Sequence, residues 1–381
     1  MPLSDQPTWI DYAEFGERFV EAAVTESRIE AAVSGMAGRG MTIGPFSVGP
    51  AGLARFVAKG SVGKPRIVRH GPHVHFEVMV PVKLRVDITL GGQRLRLEAV
   101  VEIDLDLHAR TAAPLLIVID IPPVTGRDVS FVMRAQAIGT AFELLLDPIA
   151  RMVQREVANR LNAILADPDS RRGRVFDVEA IIDGAESTHR DREQFDWIGY
   201  DEFGRQFFQR IVTAERVREV VESMAGKPIE VGPMRTGPRN AAEVSVQGSV
   251  RVPRLAEREI SVESAPESAG LVAFDLTIPV SLDITVEVVQ ANKYRAEVEV
   301  PLELVARAAD PLLIVIDTEP PRARDIDLEV TAQGWRARTL GRLAKIDAQV
   351  AAQVAAVVRD EVADMSRRTI DVAARLNSIG V

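Results

Sequence analysis

The sequence predicts an α+β fold: two tandem copies of a long helix wrapped by a strongly curved antiparallel sheet, each closed by a second helix. Three observations predict it. The chain repeats itself, each copy holds a segment alternating strictly between apolar and polar residues, and amphipathic helical stretches flank that segment.

The repeat sets the organisation. Trp9, Tyr12, Glu14, Phe15 and Gly16 recur as Trp197, Tyr200, Glu202, Phe203 and Gly204, 188 positions on. The same shift carries Gly44-Pro45 to Gly232-Pro233 and Gly60-Ser61-Val62 to Gly248-Ser249-Val250. The shift then becomes 197, taking Pro114-Leu115-Leu116-Ile117-Val118-Ile119-Asp120 to Pro311-Leu312-Leu313-Ile314-Val315-Ile316-Asp317. The duplicated unit is far longer than the units that stack into solenoids. The 381 residues therefore divide into two domains, 1–189 and 190–381, each long enough to bury its own core. The polar stretch Gly184–Arg192 reads as the linker.

Each copy opens with a helix. Phe15, Phe19, Ala22, Ile29, Val33 and Met36 share one face at helical spacing, and Phe203, Phe207, Ile211, Ala214, Val217, Val221 and Met224 do the same. Both are expected as single helices of about 25 residues, about 38 Å long. Next, Val74, Phe76, Val78 and every second residue to Leu90 are apolar, and their intervening neighbours are mostly polar. This period of two predicts an unusually long strand. Gly91-Gly92 predicts a two-residue hairpin turn. The returning strand, Leu95 to Leu107, then pairs so that partner numbers sum to 183. Val82 faces Val101, Arg85 faces Glu98 and Asp87 faces Arg96, while Glu77 and Asp106 meet as like charges.

The second copy repeats the hairpin from Val272 to Leu304, with a turn expected to be one residue shorter. Pro81 and Pro279 take matching positions and predict an edge or a bend. Shorter strands are expected at Met41–Val48, Leu53–Gly63, Pro114–Ile121 and Asp128–Ala135. A second helix is expected at Ala137–Leu165 and at Trp335–Met365.

Width then dictates curvature. A helix about 10 Å across covers about two strands spaced ~4.8 Å apart. A sheet of five or six strands has to curl to bury its apolar side. This element order resembles the tubular lipid-binding (TULIP) superfamily, the group of bactericidal/permeability-increasing protein and the synaptotagmin-like mitochondrial-lipid-binding domains. The resemblance covers both halves and implies a tubular pocket for acyl chains.

Composition narrows the function. A net charge of -9 argues against nucleic acid and against a polybasic membrane face. The absence of cysteine excludes disulfides, thiol catalysis and cysteine-ligated metals. No signal peptide and no membrane-spanning run are read from the sequence, so a cytoplasmic location is expected.

The candidate ligand-binding residues are those on the apolar side of the hairpins: Val78, Val80, Val82, Leu84, Val101 and Ile103, then Leu276, Ile278, Val280, Leu282, Val298 and Val300. Each reads either as plain core or as pocket lining. His70, His73, His75 and His108 read as a solvated strand end, and no metal ligand is assigned. The Gly-Pro pairs read as turns. Asp120, Asp317, Asp128 and Asp325 read as hydrogen-bonded turns or caps, and no nucleophile constellation is present.

The expectation is a non-enzymatic carrier of a hydrophobic small molecule or lipid, held in a tubular apolar pocket in each repeat, without cofactor. The alternative is a structural or partner-binding module with a filled core. A protein partner or a homodimer is left open.

Overall fold

The hairpin forms in the register the alternation predicts. In the computed structural model, β4 (His75–Leu90) and β5 (Gln93–Ala112) pair from His75↔His108 to Leu90↔Gln93, every pair summing to 183. Gly91 and Gly92 both have positive φ, 54° and 85°, as a tight turn between right-twisted strands requires. The structure describes residues 7–378 apart from 35–37, 39, 49–51, 53, 71–73, 135–139, 190–191, 223–224, 227, 237–241, 260–270, 288–290 and 334–343.

The chain forms two units, Ala13–Phe203 with Ala373–Val381, and Gly204–Val372 with the residues up to Tyr12. The first holds the helices α1 (Tyr12–Ala23), α2 (Glu26–Ser34), α3 (Thr140–Ala166), α4 (Pro168–Arg172) and α5 (Val178–Asp183). Its remaining strands are β1 (Gly40–Val48), β2 (Ala54–Val62), β3 (Arg66–His70), β6 (Leu116–Asp120), β7 (Val129–Arg134) and β8 (Val175–Asp177). The sheet runs β1-β2-β4-β5-β6-β8, with β3 also on β4 and β7 also on β5.

This sheet is strongly curled, and α3 shows why. α3 packs on both β1 and β7. Along the path β1-β2-β4-β5-β7 these lie four strand steps apart, about 19 Å if the sheet were flat. A helix about 10 Å wide touches both margins only if the sheet bends round it. Ile149, Val153, Val157 and Leu161, four residues apart, form the buried stripe of α3. Asn162 pins it by donating to the Val124 carbonyl and accepting from the Val124 N–H, both at 2.8 Å.

The second unit repeats the plan. It contains α6 (Tyr200–Ile211), α7 (Ala214–Glu222), α8 (Ala344–Ala363) and α9 (Val372–Ser378), the last two named by chain order although most of α9 is grouped with the first unit. Its strands are β9 (Pro228–Thr236), β10 (Ala242–Val250), β11 (Arg254–Arg258), β12 (Val272–Glu287), β13 (Ala291–Ala309), β14 (Leu313–Thr318), β15 (Asp327–Gln333) and β16 (Thr369–Asp371). The sheet runs β16-β14-β13-β12-β10-β9, also strongly curled and antiparallel, with β11 on β12 and β15 on β13.

Three expectations are corrected. The opening helix of each copy is two helices, broken after Ala23 and after Ile211. A threonine stands at each break, and its hydroxyl accepts from the N–H three residues on: Thr25 from Arg28 and Thr213 from Arg216, both at 3.4 Å. The β12–β13 turn itself falls on residues 288–290, outside those described, but the flanking register agrees with the expectation: Glu287 pairs with Ala291 across three residues, where the first hairpin pairs Thr89 with Arg94 across four.

Gly44-Pro45 is not a turn but lies inside β1, where the register with β2 slips between Ile43 and Phe46. A bulge is where a sheet tolerates proline. Gly232-Pro233 lies likewise inside β9, at a register shift between Val244 and Val246 of its partner, while Gly49-Pro50 and Gly237-Pro238 fall outside the described residues.

Pro81 is not on an edge strand. β2 leaves β4 at Val82 and β3 joins it at Met79, so Pro81 sits at the handover between two neighbours. Its carbonyl accepts from Gly63 at 2.7 Å, and its missing N–H costs no ladder bond. Pro279 repeats this, accepting from Arg251 at 2.8 Å.

Candidate functional site

The inner side of each hairpin is continuously apolar and shielded. Val78, Val80, Val82, Leu84, Val101 and Ile103 are all buried, as are Leu276, Ile278, Val280, Leu282, Val298 and Val300. Period-two alternation puts each set on one face, and direct pairs such as Val82↔Val101 and Val280↔Val298 hold the faces in register.

In the first unit the packing between this face and α3 is incomplete. A cavity of about 150 Å³ is lined by Val80 and Ile103 of the hairpin, Met41 and Val62 of β1 and β2, and Val157, Arg160, Leu161 and Ile164 of α3. The lining is apolar except for Arg160, which is held by Glu156 at 3.0 Å. Ile164, 37% exposed, stands where α3 meets solvent. Val80 and Ile103 are thus brought to a void, whereas Val78, Val82 and Val101 have no exposed surface at all.

In the second unit a depression of about 610 Å³ opens between β10 and β11, over Pro279 and Val298. Its rim is charged: Arg251 pairs with Glu297 at 3.4 Å and Arg254 with Glu299 at 2.5 Å.

Both copies carry an arginine clamp that the sequence reading missed. Asp120 binds Arg110 at 3.1 Å, and the Arg110 guanidinium lies 3.8 Å from the centre of the Trp197 ring. Asp317 binds Arg307 at 3.4 Å, with that guanidinium 4.1 Å over Trp9. The carboxylate orients the cation, and the ring face attracts it. The signal was present: both partners of each arginine repeat, the tryptophan at 188 and the aspartate at 197.

The backbone follows the clamp. Ile198 donates to Thr111 and Ala113 donates to Asp196 in the first unit, at 3.1 and 2.9 Å. Ile10 donates to Ala308 and Asp310 donates to Thr8 in the second, at 3.2 and 2.9 Å. Asp128 and Asp325 are turn anchors, accepting from the N–H of Thr125 at 2.7 Å and of Arg322 at 3.1 Å.

The outer face of the first hairpin holds a polar cluster. His75 Nε2 bonds Asp106, His108 Nε2 lies 3.2 Å from the same carboxylate, and His70 Nε2 lies 3.0 Å from Glu77. The His75 and His108 rings stack at 4.5 Å between centres. His73 falls outside the described residues. Partial burial alone would raise the Asp106 carboxyl, but the bond to His75 and the nearby His108 outweigh it and hold the group below its ordinary range. Asp104 is pushed up, by partial burial first and then by Glu77, Glu102 and Asp128. The carboxylate partner of the histidines was readable from the hairpin register, which sets Glu77 opposite Asp106 and His75 opposite His108.

Among the described residues no helix is long and apolar enough to cross a membrane. No protein-family model and no curated protein matches the chain. Among solved structures, the chain is similar to the crystal structure of lipopolysaccharide binding protein, at 6% identity and a TM-score of 0.28 over 92% of this chain and 90% of that one. It is also similar to P47 from Clostridium botulinum A2, at 8% identity and a TM-score of 0.23 over 90% of this chain and 84% of that one. The fold rests on the two curled antiparallel sheets described above, and neither likeness adds an argument to it.

Proposed function

We propose that the protein is a non-enzymatic, cytoplasmic carrier of a hydrophobic ligand, an acyl chain or lipid, held between the long helix and the curled apolar face of its sheet. The observation that supports this most directly is the cavity between Val80, Ile103, Val157, Leu161 and Ile164. It lies where the tubular architecture would seat an acyl chain, and apolar burial would supply the affinity. Its ~150 Å³ is below the ~300 Å³ at which ligand pockets usually begin. In this reading α3 shifts outward to admit a chain.

The same small volume favours a rival reading, a module whose interior is filled by its own side chains. Two measurements separate them. Native mass spectrometry of the purified protein is expected to show a bound lipid mass, removable by organic extraction. A fluorescent fatty acid is expected to bind the stripped protein and to bind less to Leu161→Trp, which fills the void. Protein free of lipid that takes up no fatty acid establishes the filled module instead.

A further inference from the structure

We propose that His75, Asp106 and His108 form a binding site for a divalent transition-metal ion of the zinc type, on the outer face of the first sheet. Two things carry this: the geometry of the three side chains, and a comparison with the second copy inside the same chain.

The geometry follows from the hairpin. Asp106 and His108 are two residues apart on β5, so they share a face. His75 stands directly opposite His108, and His70 of β3 directly opposite His75. One ligand atom from each of His75, Asp106 and His108 lies within 4.8 Å of the others. A tetrahedral zinc with bonds of ~2.0–2.1 Å needs donors about 3.3 Å apart. The side chains are 32%, 58% and 43% exposed, so small rotations bring them there. Two imidazole nitrogens and one carboxylate oxygen suit zinc, nickel or copper, whereas calcium and magnesium take oxygen ligands. The fourth position is open to water or to an outside ligand.

The second copy shows what this place needs. Asp275 and Glu303 face each other across β12 and β13 as Glu77 and Asp106 do across β4 and β5. Like charges directly opposite are unfavourable. In the second sheet Arg258 offsets them, reaching Glu303 at 2.5 Å and Asp275 at 3.6 Å. Arg258 lies opposite Ala273, and Ala273 opposite Val305. The corresponding row in the first sheet is His70, His75 and His108. The fixed guanidinium has been replaced by three imidazoles beside the same carboxylate pair. Imidazoles are metal ligands, and a metal ion bound by them would bring positive charge to the carboxylate pair.

The test titrates Zn²⁺ into the full chain by calorimetry, with Co²⁺ absorption as a second readout. Wild-type protein is expected to bind one equivalent. The double substitution H75A/H108V installs the residues the second copy already carries and is expected to weaken binding at least about tenfold. H70R, which imports the Arg258 arrangement, is expected to do the same by placing a guanidinium on Asp106. H189A is expected to bind like wild type. Thermal melts of each variant establish that the fold survives. Wild-type binding no tighter than that of H75A/H108V overturns the proposal, as does binding that is lost in H189A and kept in H75A/H108V.

Discussion

A Cβ on Gly16 would stand 2.2 Å from the carbonyl oxygen of Tyr200, and one on Gly204 would stand 2.2 Å from that of Tyr12. Backbone meets backbone at both places, so no flexible side chain can move aside. Gly16→Ala and Gly204→Ala are each expected to cost about 1–3 kcal/mol or more. Chemical denaturation checks this as a lowered midpoint, and each substitution should act on its own unit.

The arginine clamp predicts coupling. Arg110→Ala is expected to cost about 0.5–1 kcal/mol, the range of an exposed cation–π pair. Asp120→Ala should remove part of the same energy by freeing the guanidinium. A double-mutant cycle over Arg110 and Trp197 is expected to show a coupling that shrinks when Asp120 is absent. Arg307, Trp9 and Asp317 should behave alike.

Burial pushes the Tyr12 phenol up to about 12, with Arg205 opposing only in part. Its folded value thus exceeds the unfolded one, so its contribution to stability is intact below pH ~10 and is lost as pH rises through about 12. Burial raises Tyr200 too, with Glu17 and Glu21 adding to it. Absorbance at the phenolate band should show a Tyr12 component titrating near about 12. Tyr12→Phe should remove that component and flatten the alkaline decline of stability.

Asp128 behaves oppositely. Hydrogen bonds from the Thr125 N–H and hydroxyl, at 2.7 and 2.8 Å, hold its carboxyl below the ordinary value. The stabilisation is present above the unfolded value near ~3.9 and is lost as pH falls through the folded one. Asp128→Asn should lower stability at neutral pH and reduce its acid dependence, measured as the denaturation midpoint from pH 7 to 3.

The sheets were legible because a one-residue slip would turn Val82 and Val101 outward, so burial fixes the register that the alternation shows. The opening helices were less legible. Thr25 interrupts an apolar stripe that continues on both sides, and stripe periodicity does not register a break that a side-chain cap stabilises. The candidate site was legible as a face and not as a void. Alternation separates inside from outside, but whether Val80 meets side chain or empty space is settled by how α3 lies.

The pairing of Ile198 with Thr111 and of Ile10 with Ala308 matters for producing either half alone. A gene truncated after residue 189 would encode the first sheet without Trp197 and its backbone bonds, exposing the end of β5 and inviting a second molecule to donate the missing strap. A fragment running from Ala13 to Phe203 keeps that strap in its own polypeptide.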